Sequence, residues 1–201
     1  TAIGDTAGAD AAYANHVRAS TRDPRLLAPA AALAAGRLPE AESLLRTHLR
    51  SHPTDVAAIR MFAELAARLG RLGDAENLLA RCLELAPGFT AARHNYAVVL
   101  HRQSRSAEAL QEAERLLSAE PRNPGLRSLQ AAALARLGEY DRSIAVYEGI
   151  LADYPGQAKI WMSLGHALKT AGRRPDCIAA YARSIELSPS LGEAWWSLAN
   201  L

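Results

Sequence analysis

His48 and His52 stand four residues apart, a spacing that puts two imidazoles on one face of a helix. Such a pair could hold a divalent metal. His52, however, abuts Pro53, and proline follows a helix end because it lacks an N–H and clashes with the preceding turn. An imidazolium there complements the helix dipole, so the pair reads as a helix-end device and not as metal ligands. Cys82 falls at an inward position with no base near it, which gives no support to a reactive thiol. The stretch Gly70 to Gly73 has no strand before it and no lysine after it, so it is a turn and not a phosphate cradle. No nucleophile elbow or paired zinc-ligand motif occurs. The sequence implies no catalytic residue, no metal and no cofactor, in a chain that is not itself an enzyme.

What remains is a set of charged side chains whose meaning depends on the elements that hold them. Pro53, Pro87, Pro121, Pro155 and Pro189 follow one another at intervals of 34 residues. A period of that length marks helix–turn–helix repeats. Closing each repeat two residues after its proline gives 22–55, 56–89, 90–123, 124–157 and 158–191, with a partial sixth over 192–201. An N-terminal segment, 1–21, precedes them and includes a short helix over 8–20.

The registered columns describe two amphipathic helices per repeat. Position 8 reads Pro29, Ala63, Ala97, Ala131, Gly165, and position 20 reads Ala41, Ala75, Ala109, Ser143, Cys177, small enough for close helix approach. Position 11 runs Ala32, Ala66, Leu100, Leu134, Leu168, and position 28 runs Leu49, Leu83, Leu117, Leu151, Ile185. Gly36, Gly70, Gly138 and Gly172 recur at position 15, where a left-handed cap closes the first helix, and Ser104 breaks that column. Asp55, Thr90 and Asn123 suit the starts of first helices, Ser106 an N-cap, and Pro39 and Pro175 the opening turn of second helices. Pro29 should kink or shorten the first helix of its repeat. No stretch alternates as a strand does. The fold class is all-α: a superhelical solenoid of stacked antiparallel helix pairs, about five repeats and a partial sixth.

On the first helices, positions 2, 5, 9, 12 and 13 should line an inner groove. They supply Arg60, Glu64 and Arg68; His94, Val98, His101 and Arg102; Ser128 and Arg136; Lys159, Met162, His166 and Lys169; and Trp196 and Asn200. Arg68, Arg102 and Arg136 share position 13, so the groove should be basic and pair with carboxylates of a peptide or protein segment. Tyr13, Tyr96, Tyr140, Tyr147, Tyr154 and Tyr181 fall mostly on packing columns.

Bulk composition narrows the setting. A net charge of +2, from 23 basic and 21 acidic residues, points to neither nucleic acid nor membrane. The longest nearly apolar run, Leu26 to Ala35, is too short to span a bilayer, and no signal segment opens the chain. Cys82 and Cys177 lie three repeats apart and are expected to be free, buried thiols, as in a reducing, cytoplasmic compartment. Abundant alanine, with Lys159 and Lys169 the only lysines, looks like GC-rich coding and a bacterial source.

These columns resemble the tetratricopeptide repeat (TPR) family. The resemblance is fullest over 158–191, where Trp161, Leu164, Gly165, Gly172, Tyr181 and Pro189 fall on family positions; Arg93 stands where an aromatic is usual. It implies an interaction scaffold whose first helices line a concave face. Some members clamp a terminal carboxylate with asparagines at position 9, but here that column is Ala30, Glu64, Val98, Ala132, His166 and Asn200. The strict period separates the chain from a related 35-residue helix-pair family that reads RNA. The segments from Trp161 and from Gly192 also look like the last repeats of bacterial proteins in which a TPR array precedes a sulfotransferase domain. That resemblance implies the alternative of an accessory, substrate-orienting module, with catalysis beyond Leu201. Trp195 and Trp196 on the apolar final segment suggest a third outcome, self-association or a domain contact.

Overall fold

The computed structural model describes residues 23–201; the helix expected over 8–20, and Tyr13 with it, lie outside them. A 3-10 turn, Pro24–Leu26, leads into α1 (Leu27–Ala34), α2 (Leu38–Ser51), α3 (Val56–Arg68), α4 (Leu72–Leu85) and α5 (Thr90–Arg102). Then follow α6 (Ser106–Leu117), α7 (Pro124–Arg136), α8 (Tyr140–Asp153), α9 (Ala158–Thr170), α10 (Arg174–Leu187) and α11 (Gly192–Ala199). No strand occurs among the described residues. The odd-numbered helices are the first helices of the repeats and the even-numbered ones the second.

The chain divides into two compact units, the first ending at Gln103 and the second running from Ser104 to Leu201. In the first unit each helix from α1 to α5 packs on the next, and α3 also touches α5. The second repeats this with α6 to α11, and α7 touches α9. The core of the first unit is built from Leu45, Leu65 and Leu79 with the alanines of the small-residue columns, all but excluded from water. That of the second centres on Ile150, Leu164, Leu168 and Tyr181. Both cysteines are buried and free. The Cys82 thiol donates to the Val56 carbonyl, and burial pushes its pKa to about 11.

The turn signals work as their chemistry requires. Gly36, Gly70, Gly138 and Gly172 have φ of 70, 77, 83 and 77°. At each, the next residue's N–H reaches back to the first helix: Arg37 to Ala32, Arg71 to Ala66, Glu139 to Leu134 and Arg173 to Leu168. Such closure satisfies carbonyls that would otherwise be orphaned at the helix end. Ser104 adopts the same left-handed conformation, φ 66°, without being glycine. Asp55 and Asn123 cap α3 and α7 with their side chains. Thr90 and Ser106, in contrast, are the first helical residues of α5 and α6. The caps there are Phe89 and Arg105, and neither makes a side-chain cap bond. Pro29 is buried in the first turn of α1, which is 8 residues long where α3, α5, α7 and α9 have 13. Proline is tolerated there because a first-turn N–H has no helical partner to lose.

The small-residue columns have a steric reason. A Cβ on Gly165 would stand 2.5 Å from the Tyr181 ring, so glycine is what lets that fully buried tyrosine lie against α9. Tyr147 is buried as well, whereas Tyr154 is exposed and Tyr96 and Tyr140 are half-covered.

Candidate functional site

The first-helix face of the first unit carries seven of the sequence-derived candidates, and none of the seven is buried. Glu64 sits between two arginines: Arg68 Nη2 lies 2.5 Å from Oε1 and Arg60 Nη1 lies 3.5 Å from Oε2. Arg68 also donates from Nη1 to the Leu33 carbonyl at 2.7 Å, and Arg102 donates to the Ala67 carbonyl at 2.8 Å. Each acceptor lies one repeat back, at the C-terminal end of the preceding first helix. Two members of the position-13 column therefore bind one first helix to the next, and their positive charge falls where the helix dipole is negative. One nitrogen of each guanidinium is committed to this bond, which orients the exposed remainder of the fork. His94, Val98 and His101 fill in between, each half-covered.

In the second unit the same face carries Ser128 and Arg136 on α7, Lys159, Met162, His166 and Lys169 on α9, and Trp196 and Asn200 at α11. Arg136 donates to Ser104 Oγ at 3.2 Å, and Lys169 Nζ donates to the Asn200 carbonyl at 3.0 Å. Asn200 turns its own amide to the Trp196 carbonyl. His166 is hydrogen-bonded to the buried Ser197 Oγ at 3.1 Å and meets Tyr181 edge-on, with ring centroids 5.4 Å apart. Burial pulls the His166 pKa down, with Lys169 adding to the effect and Glu193 opposing it. Lys159 and Trp196 are exposed, Trp196 at 68%.

Away from that face, the paired histidines lie in a chain of polar contacts. His48 Nε2 meets Asp55 Oδ2 at 2.8 Å, His52 stacks on His48 at 4.7 Å, and Arg25 Nη1 donates to His52 Nε2 at 2.7 Å. Asp23, held to about 2 by its bonds to Arg25, closes the chain. Among the described residues, no three His, Cys, Asp or Glu side chains are placed to share a metal ion.

Sequence reading missed a device at position 4. Trp161 donates its indole N–H to the Pro155 carbonyl at 2.9 Å, and Trp195 does the same to Pro189 at 3.0 Å. Arg93 reaches the Pro87 carbonyl at 2.9 Å. Arg93 thus supplies the same bond as the two tryptophans, while Ile59 fills the position with a buried side chain and Arg127 turns to Asp153 at 2.9 Å. Outer grooves between consecutive second helices were also missed. One, of about 660 Å³, lies between α8 and α10 over α9, with Trp161, Leu164 and Leu168 among its lining residues.

Models of the tetratricopeptide repeat match residues 32–81, 66–133, 124–167 and 158–191. Among solved structures, a thermophilic TPR protein of Thermus thermophilus is similar at TM-score 0.72 and 22% identity, over 88% of this chain and 96% of that one. MamA, residue 41 to the end, from Desulfovibrio magneticus RS-1 gives 0.70 at 19% identity, over 94% and 99%. YrrB, described as a TPR protein with an unusual peptide-binding site, gives 0.68 at 14%, over 89% and 92%. No curated protein sequence matches significantly. No helix among the described residues is long and apolar enough to cross a membrane.

Proposed function

The chain belongs to the tetratricopeptide repeat family, an interaction scaffold by fold, and from that premise we propose that its first-helix faces receive an acidic peptide or protein segment. One observation carries this reading: the excess of cations on those faces. The first unit presents Arg60, Arg68 and Arg102 against Glu64, while Asp23, the other acid at a facing position, is paired with Arg25. The second presents Arg136, Lys159 and Lys169, with Glu193 the one acidic side chain at a facing position. A guanidinium already fixed to a carbonyl loses less side-chain entropy when it meets a second acceptor, and charge-assisted bonds to carboxylate are the strong ones. The printed description of YrrB supports peptide binding as a use of this architecture.

Because Arg68 and Arg102 also join helices, truncating them to alanine would confuse binding with stability. The cleaner variant is Lys159→Gln with Arg102→Gln, which removes charge and retains a donor at both places. Whichever unit's face takes an Asp/Glu-rich peptide has then lost one cation, and fluorescence anisotropy should show affinity about threefold weaker than wild type. No binding to wild type, or equal affinity for the variant, defeats the reading. The sulfotransferase-associated alternative rests on sequence resemblance alone. Reading the gene past Leu201 tests it, and a phosphate-loop domain there would favour it.

A further inference from the structure

The repeats carry equivalent grooves on the opposite side, between second helices, and two of them differ in a telling way. In the first unit the groove is about 260 Å³ and runs between α2 and α4 over α3. Arg46, at position 25, lays its guanidinium over the Phe62 ring, 5.4 Å from the centroid, and is anchored by Glu42 at 2.8 Å. Arg71 joins the same carboxylate at 3.2 Å, so this groove supplies its own cation and its own counter-charge. A guanidinium over an aromatic face is an attractive arrangement in its own right.

In the second unit the same repeat positions read differently. Position 25 is Glu148, Ile144 stands where the first unit has Glu42, and Leu164 stands where it has Phe62. The groove has no cation over its floor of Trp161, Leu164 and Leu168, and its volume is about 660 Å³. On the far wall, Arg173 is paired with Asp176 at 2.8 Å, and Arg183 with Glu186 at 2.8 Å, so that wall is neutral overall. Glu148 is exposed and has no hydrogen-bond or ion-pair partner among the described residues. The groove is thus apolar below and aromatic at one end, and Glu148 on its α8 rim is the lining charge without a partner among the described residues.

We infer that this outer groove of the second unit docks a basic amphipathic segment of a partner protein, its apolar residue on the Leu164–Leu168 floor and its Arg or Lys between Glu148 and Trp161. The ring that Arg46 covers in the first unit has no counterpart at Leu164, so the aromatic face offered to the partner's cation is that of Trp161, three residues earlier on α9. A helix laid in a groove presents such anchors within one turn, which fits a cleft bounded by two helices. This site is independent of the first-helix faces and opposite to them in charge preference.

The test is a random peptide library displayed on phage, selected on wild type and depleted on Glu148→Arg, which reverses the charge on the α8 rim. Glu148 is exposed, and circular dichroism checks that the variant folds. Enriched peptides should pair a bulky apolar residue with Arg or Lys within one helical turn. As synthetic peptides in anisotropy titrations they should bind Glu148→Arg at least about tenfold more weakly, and wild type and the Lys159→Gln/Arg102→Gln variant equally. Failure to enrich, or peptides that bind Glu148→Arg as well as wild type, overturns the inference. Acid-rich peptides that ignore Glu148→Arg but lose affinity with Lys159→Gln/Arg102→Gln would overturn it while supporting the first-helix reading, so the two fail separately.

Discussion

Ser104 shows how a single residue can keep a conformation its column was built for. The four glycines at this position accept positive φ without penalty, whereas a side chain in that region meets the following carbonyl at a cost of about 1 kcal/mol. Ser104 recovers part of that through the bond from Arg136, but both groups are exposed and such a bond is worth little. Ser104→Gly should therefore stabilise the chain, by about 0.5 kcal/mol after the lost bond and the freer unfolded state are discounted. A higher urea midpoint with unchanged slope would show it. A lower midpoint would mean that the Arg136 contact outweighs the strain.

At the scale of helices, what was legible followed from backbone constraint. Prolines and glycines declare where a chain must turn whatever its neighbours, so the repeat boundaries, the left-handed caps and the shortened α1 follow from Pro29, Gly36 and their equivalents. Aspartate and asparagine caps were readable for the same reason, while Thr90 and Ser106 were not. They are the first helical residues and not the caps, and the caps, Phe89 and Arg105, make no side-chain cap bond. The candidate residues were located by register, but their attachments were not, because the acceptor for Arg68 is a carbonyl 35 residues back. Glu148 gave no signal at all until Arg46 was seen lying over Phe62. The bond between His166 on α9 and Ser197 on α11 belongs to the same class, and it has a pH consequence. Burial lowers the folded-state pKa below the unfolded value near 6.5, so the unfolded chain binds the proton first. His166 therefore contributes a loss of stability as pH falls below about 6.5, levelling off once the folded form is also protonated. Urea midpoints between pH 7.5 and 5 should fall less steeply for His166→Gln than for wild type. Parallel profiles would mean that the imidazole is not kept neutral by its surroundings.

Across the whole molecule, the net charge of +2 conceals a segregation of sign. Most arginines outside the first helices are matched by an acid three residues away, as in Arg81 with Glu84, Arg105 with Glu108 and Arg115 with Glu112. These pairs neutralise the second helices and their caps locally, and their own contribution to stability is small. Among the described residues, cations without an ion pair include Arg102, Lys159 and Lys169 on the first-helix faces, besides Arg50, Arg122 and Arg174 elsewhere. Distant solvent-exposed charges are screened over about 10 Å at 0.1 M salt, a length comparable with the spacing of neighbouring first helices. At low salt the cations on the face of one unit should act together on an acidic ligand, and at high salt only those in direct contact with it. The affinity of an Asp/Glu-rich peptide should accordingly fall by roughly tenfold or more between 50 and 300 mM salt, chiefly through slower association. The basic peptide of the outer groove should change less, since a single carboxylate and an apolar floor hold it. Stopped-flow titrations of both peptides across that range measure the difference. Equal salt slopes would mean that the cations of the first-helix faces do not act as a set, and that their excess plays no part in choosing a partner.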